Sequence, residues 1–243
     1  MFSKPDVVCN SKKNRKKMAF ELKNVVPWGR NLSEYMNMFN LSESDLNKKI
    51  ISFGDGPASF NFEMDSKGKK CISIDPIYQF NSQELKERFN EVRIEVMKQI
   101  NSNKDNFVWD VIKTPEDLES IRVKSISDFL TDFEKGKVEN RYVCHSLPEK
   151  LNFEDKAFEL GFSSHFLILY SNLGLEFHIK AITEMLRLCE EIRIFPILNL
   201  NAENSIILED IIAFFEPKYE LIFEKVNYEF QKSGNRMLVI KPK

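Results

Sequence analysis

A short apolar run that breaks on two glycines constrains this chain more than any other feature. Residues 50 to 56 read Ile50-Ile51-Ser52-Phe53-Gly54-Asp55-Gly56, and Asp75 stands 21 positions (75 − 54) beyond Gly54, at the end of a second apolar run, Cys71-Ile72-Ser73-Ile74. Both runs suit short buried strands. Between them, Pro57 to Ser66 suits a helix start and Gly68 suits its end. Strand, glycine turn, helix, strand is a parallel βαβ unit. Glycines let a ligand approach the backbone, and an acid closing the neighbouring strand can accept the hydroxyls of a ribose. The pairing predicts a site for an adenosine-containing cofactor.

The rest of the chain alternates in the same way. Ser33 to Phe39 reads as a short helix ahead of the first strand. Asn81 and Glu84 have capping-box spacing, and Leu85, Phe89, Val92, Val96 and Ile100 repeat at steps of three and four, an amphipathic helix. Thr114-Pro115-Glu116-Asp117 opens a second helix, with a cap, a proline in the first turn and acids facing the helix dipole. Ser127, Phe129, Leu130 and Phe133 suggest a third, stopped near Gly136. This helical block, 81–135, is longer than a crossover needs, and reads either as a packing layer or as a lid over a ligand. Further strands are expected over Arg141–Cys144, Phe158–Phe162 and Ile192–Leu198, with helices over Leu175–Glu190 and Asn204–Phe215. Tyr219–Tyr228 and Arg236–Ile240 form a closing hairpin around Gln231-Lys232-Ser233-Gly234-Asn235.

Composition narrows the function classes. Apolar residues at 42% and charged residues at 30% fit a globular protein, and a net charge of −2 predicts neither nucleic-acid nor membrane affinity. No apolar run has the length of a bilayer span and no secretory leader is read, so the chain is expected to be cytoplasmic. The four cysteines, at 9, 71, 144 and 189, have no CxxC pair, so no metal site is expected. Cys71, Cys144 and Cys189 read as small core residues. Ser11-Lys12-Lys13-Asn14-Arg15-Lys16-Lys17 is a basic run without apolar periodicity, expected to be a solvated tail over 1–17, and 18–243 reads as a single domain.

The glycine turn is not a dinucleotide fingerprint, because Ser59 stands where GxGxxG needs its last glycine, and no GKS or GKT is present. Gly54-Asp55-Gly56-Pro57-Ala58 resembles instead the GxGxG turn of class I S-adenosylmethionine-dependent methyltransferases, with Ala58 replacing the last glycine. Asp75, Ser146-Leu147-Pro148, Phe162-Ser163-Ser164-His165 and the final hairpin agree with that family in order, over roughly residues 45 to 243. Pro27-Trp28-Gly29-Arg30, Gly56 to Asn61, Asp75 to Phe80 and Ser164 to Leu167 resemble more narrowly a poorly characterised bacterial methyltransferase-like group. The resemblance implies an α/β, Rossmann-like fold: a mostly parallel seven-stranded sheet with an antiparallel last strand and a helical insertion after strand two. It implies S-adenosylmethionine as cofactor and methyl transfer to a small-molecule acceptor, with no nucleic-acid or membrane partner.

On that resemblance the cofactor would lie against Gly54, Asp55, Gly56, Asp75, Pro76, Ser146 and Leu147. Amides of Gly54 to Gly56 would approach the methionyl carboxylate, Asp75 would take the ribose, and Ser146-Leu147 would line the adenine. Arg30 can pair with the carboxylate and Trp28 can close over the ligand. Tyr78 can stack along the adenine or line the substrate, and His145 can contact the adenine. The plainer reading of Asp75 is an Asp-Pro turn residue. His165, at a strand's carboxyl end, is the candidate general base. His178 shares a face with Leu175, Ile182 and Met185 and reads as a core histidine. Family members usually carry an acid two residues before the first glycine, and Ser52 stands there; Asp55 can take over part of its work. That departure sustains an alternative, a cofactor-binding protein without catalysis on the same fold. An NAD-dependent oxidoreductase is a third reading, which Ser59 disfavours.

Overall fold

β1 (Ile50–Phe53) and β2 (Cys71–Ile74) occupy the two apolar runs in parallel register, with Ser52 beside Ser73 and Phe53 beside Ile74. The computed structural model describes residues 27–243, so Cys9, the basic run from Ser11 to Lys17 and Met18 lie outside the described residues. Five more strands complete one sheet: β3 (Tyr142–Val143), β4 (Phe158–Ser164), β5 (Cys189–Phe195), β6 (Tyr219–Lys225) and β7 (Arg236–Pro242). The order is β3-β2-β1-β4-β5-β7-β6. Pairing is parallel from β3 through β5, and β7 runs antiparallel to both β5 and β6. This is the mostly parallel, seven-stranded, Rossmann-like methyltransferase arrangement expected from the sequence.

Alternation along the strands builds a core on each face. Ile51 and Phe53 pack with Ile182 and Met185 of α5 (Leu175–Leu188) and Ile211 of α6 (Leu208–Phe215). Ile50, Leu160 and Phe162 pack on the other face, with Tyr35 of α1 (Leu32–Met38) and Phe60 and Met64 of α2 (Phe60–Ser66). Burying each such side chain contributes roughly 1.5–3 kcal/mol, so both faces must stay covered. α3 (Ser82–Ser102) and α4 (Pro115–Val138) pack on each other beyond β3, through Leu85, Phe89, Ile126, Phe129 and Phe133.

Local signals place the helix starts. Asn31 and Asn81 each form a capping box, with Glu34 and Glu84, and the Thr114 side chain accepts from Asp117 N ahead of Pro115. Between residues 81 and 138 there are two α-helices where the sequence suggested three. Gly136 does not stop α4: a Cβ there would lie 2.4 Å from the Tyr142 ring, so the missing side chain admits β3 instead. The helix turns two residues after its end, where Asn140 takes φ +58°. α2 and α6 begin later than expected, at Phe60 and Leu208, and β5 runs from Cys189 to Phe195 rather than from 192 to 198. Pro196 lacks the N–H that a ladder needs, so the apolar run continues off the sheet. Cys144 is exposed, not a core residue, because β3 has already ended at Val143. Among the described residues, no helix is long and apolar enough to cross a membrane.

Candidate functional site

The strand order reverses at β1, which has β2 on one side and β4 on the other, and chains on either side of it leave in opposite directions. Such switch points open a crevice beyond the strands' carboxyl ends. Here it is a cleft of about 270 Å³. Nine of the residues that the sequence singled out line it: Arg30, Gly54, Asp55, Gly56, Asp75, Pro76, Ser146, Leu147 and His165.

The floor is the glycine turn. Gly54 and Gly56 take φ +66° and +58°, left-handed backbone that favours glycine. At Gly54 a Cβ would also lie 2.6 Å from Phe166 Cδ1, whereas Gly56 has open space around it. The three turn amides are already engaged within the protein. Gly54 N and Asp55 N donate to Ile74 O, at 2.8 and 3.4 Å, and Gly56 N donates to Asp75 Oδ2 at 2.8 Å. The amide cradle expected for a carboxylate is therefore spent on fastening the turn to β2.

Asp55 turns inward and is not a freely offered acid. Its carboxylate accepts from Ser52 Oγ and Ser73 Oγ, each at 2.5 Å, and from the Tyr35 hydroxyl. Burial raises its pKa, and the three hydroxyls draw it partly back. Ser52, the departure from the family pattern, is thus a direct partner of Asp55. Together they tie α1, β1 and β2 beneath the turn.

Asp75 has two functions in the fold. Its Oδ1 accepts Ile77 N at 2.9 Å, capping a 3-10 turn over Pro76–Gln79, while Oδ2 holds Gly56. The turn reading is therefore seen directly, and each oxygen retains lone-pair capacity toward the cleft. Burial pushes the Asp75 carboxyl up to about 6, against the pull of the two amides.

Arg30 supplies positive charge. Its Nη1 donates to Trp28 O at 2.7 Å, its Nε has no partner, and it makes no ion pair among the described residues. Nearby, Arg122 of α4 holds Glu34 in a buried fork, at 2.7 and 2.5 Å, and Tyr228 adds a hydroxyl at 3.1 Å. Burial, then the Arg122 charge, lowers the pKa of Arg30. Two guanidiniums and one carboxylate leave this cluster a net charge of +1.

His165 sits in strained backbone, φ +54°, at the end of β4. Its N–H donates to Phe195 O at 2.6 Å, and Nδ1 lies 3.0 Å from Ser164 Oγ. Nε2 makes no hydrogen bond among the described residues. Burial, then Arg30 and Arg122, hold the ring's pKa well below the usual value, so the imidazole is neutral at pH 7. His145 lines the cleft with Nε2 2.8 Å from Glu149 O. His178 is a buried core histidine whose Nδ1 meets Gly174 O at 2.7 Å. Tyr78 does not reach the cleft: it is packed among Phe129, Phe133 and Tyr142, with its hydroxyl on Gly56 O, and Ile77 faces the cleft in its stead.

A second hollow of about 120 Å³ adjoins the cleft, and the two share Trp28, Arg30, His165 and Tyr170. Val96 and Ile100 of α3, the rings of Phe107, Phe195, Tyr228 and Phe230, and Leu200 are among its other walls. Sequence reasoning passed over the Arg122–Glu34 pair and the Tyr35 hydroxyl. The signal was present for one of them: Arg122 sits at the four-residue step between Leu118 and Ile126, a charge on an apolar stripe. Among the described residues, no group of His, Cys, Asp and Glu is arranged to hold a metal ion.

Fold and crevice define a protein of the Rossmann-like methyltransferase fold class. The chain is 39% identical over 222 residues to the uncharacterized protein MJ0045 of Methanocaldococcus jannaschii, covering 90% of this chain and 97% of the relative, and it belongs to that protein's family. This relative is archaeal, whereas the sequence motifs suggested a bacterial group. No family model matches the chain. Similar solved structures include a TehB-like SAM-dependent methyltransferase from Corynebacterium glutamicum, with 14% identity, 86% and 87% of the two chains covered and a TM-score of 0.47. The PH0226 protein from Pyrococcus horikoshii has 11% identity, 86% and 89% coverage and a TM-score of 0.45. Likeness at this level speaks for neither cofactor nor activity.

Proposed function

We propose that the protein is an S-adenosylmethionine-dependent methyltransferase acting on a small-molecule acceptor. The observation that carries this reading is the convergence of the glycine turn, Asp75, Ser146-Leu147, Arg30 and His165 on one cleft at the switch point. The residues fit the cofactor's chemistry. Asp75 has lone pairs for the ribose diol, and hydrogen bonds to a carboxylate are among the stronger ones. With the turn amides engaged, the methionyl carboxylate goes to Arg30, a half-buried cation that makes no ion pair among the described residues and whose buried Nε has no partner there. A partly desolvated charge without an ion pair is costly, so an arriving carboxylate relieves the protein as well as gaining a partner. Ser146 and Leu147 line the adenine, and residues 81–135 contribute a substrate wall through α3.

When bound, the cofactor supplies an electrophilic methyl on sulfur, which leaves the protein to align an acceptor, exclude water and hold a proton. His165 is suited to the last task, being neutral and having an Nε2 that makes no hydrogen bond among the described residues. Neutralising Arg30 also removes one of the charges that depress its pKa.

Calorimetry with S-adenosylhomocysteine tests the cofactor. Binding in the micromolar range, weakened at least tenfold by Asp75→Ala, is expected; absence of heat with a folded protein refutes the reading. The engagement of Asp55 by three hydroxyls leaves no free acid at the turn for an ammonium group, which favours a second reading, binding without turnover. Formation of S-adenosylhomocysteine from S-adenosylmethionine and an acceptor separates the two.

A further inference from the structure

We infer that the second hollow is the acceptor site, and that its occupant is a small flat aromatic molecule bearing a hydroxyl group, a phenol, with that hydroxyl at His165. The inference rests on the cofactor reading, which it deepens. Among the described residues, the hollow and the cleft share Trp28, Arg30, His165 and Tyr170, so a guest in the hollow meets the cofactor across His165.

Size and walls select the guest. An apolar cavity of about 150 Å³ holds benzene, so a hollow of about 120 Å³ that is open on one side takes one ring and lets substituents protrude. Its walls present ring edges and faces. Phe107 and Phe230 stack with centroids 4.8 Å apart, and Phe195 and Tyr228, also in its lining, stand nearly perpendicular at 5.8 Å. Aromatic guests gain from such edge and face contacts beyond the area they bury.

Charge selects the reacting group. No Asp, Glu or Lys is among the described residues lining the hollow, and Arg30 is its only charged side chain. A protonated amine would meet that cation with no carboxylate among the described lining residues to receive it. A phenol fits, since its acidic form is neutral and its reacting form is anionic. In the transfer the phenol oxygen gains the methyl, the electron pair of the methyl–sulfur bond stays on sulfur, and the hydroxyl proton passes to His165 Nε2. One positive charge is lost at sulfur as one appears on the imidazole, so the buried site never carries an additional charge.

The test separates this inference from the cofactor reading. Full-length protein is first titrated with S-adenosylhomocysteine, and failure at that step refutes the cofactor. With S-adenosylhomocysteine saturating, 4-fluorophenol and 4-fluorobenzylamine are titrated by fluorine NMR. The phenol is expected to bind at least tenfold more tightly than the amine. Leu200→Trp, which fills the hollow from a wall that the cleft does not share, is expected to weaken 4-fluorophenol at least tenfold and to retain S-adenosylhomocysteine affinity. Gln231→Trp serves as a second filling variant if Leu200→Trp does not fold. Equal or tighter binding of the amine, or phenol affinity unchanged in a folded filling variant, overturns the inference while the cofactor reading stands. His165→Gln in the presence of methyl donor is expected to cut turnover of bound phenol by roughly 100-fold or more.

Discussion

Acidifying the cleft is a direct probe of Asp75. Its carboxyl is pushed up to about 6 by burial. At about pH 7 roughly nine-tenths of the molecules carry the ionised form and at about pH 5 roughly one-tenth, a tenfold change worth about 1.4 kcal/mol. Ribose hydroxyls donate to the ionised form, so ligand affinity should follow that fraction. A folded pKa above the ordinary 3.8 also means that ionising Asp75 costs the free protein stability. That cost is absent below about pH 4 and grows to at most about 3 kcal/mol as pH rises through 6. A ligand that donates to the carboxylate offsets part of it. The assay is calorimetry with 5′-methylthioadenosine, which retains the ribose but has no group titrating in this range. Kd is expected to rise about tenfold between about pH 7 and pH 5 in the native protein and to stay flat in Asp75→Asn. A flat profile in the native protein, or the same slope in Asp75→Asn, refutes the assignment of the ribose to this residue.

Arg30→Met should weaken S-adenosylhomocysteine at least tenfold while leaving 5′-methylthioadenosine, which has no carboxylate, within twofold; equal losses for both would remove Arg30 from carboxylate binding. Gly54→Ala should destabilise more than Gly56→Ala in urea unfolding: both positions have positive φ, costing about 1–2 kcal/mol, but only Gly54 adds a collision with the Phe166 ring, worth about another 1–3 kcal/mol. Arg122→Met should cost about 3–5 kcal/mol because it strands the buried Glu34 carboxylate, and the further change Glu34→Gln should recover much of that loss in the same denaturation assay.

The sequence by itself determined the sheet's first two strands to the residue, the capping of α3 and α4, and nine of the residues lining the cleft. Those features have local causes: apolar runs, glycine φ, and cap oxygens three residues from their amides. Local patterning misled where a long-range partner decided. Gly136 lies within α4 because the Tyr142 ring occupies its side-chain space. Tyr78 is withdrawn from the cleft by three neighbouring rings. The turn amides are engaged because β2 ends beside them. Only the tertiary structure brought Arg122 of α4 to Glu34 of α1, 88 residues apart in sequence, and left Arg30 beside that pair with no ion pair of its own among the described residues. Electrostatic character of that kind belongs to distances through space and to the exclusion of water, and a chain acquires neither until its helices have closed over the sheet.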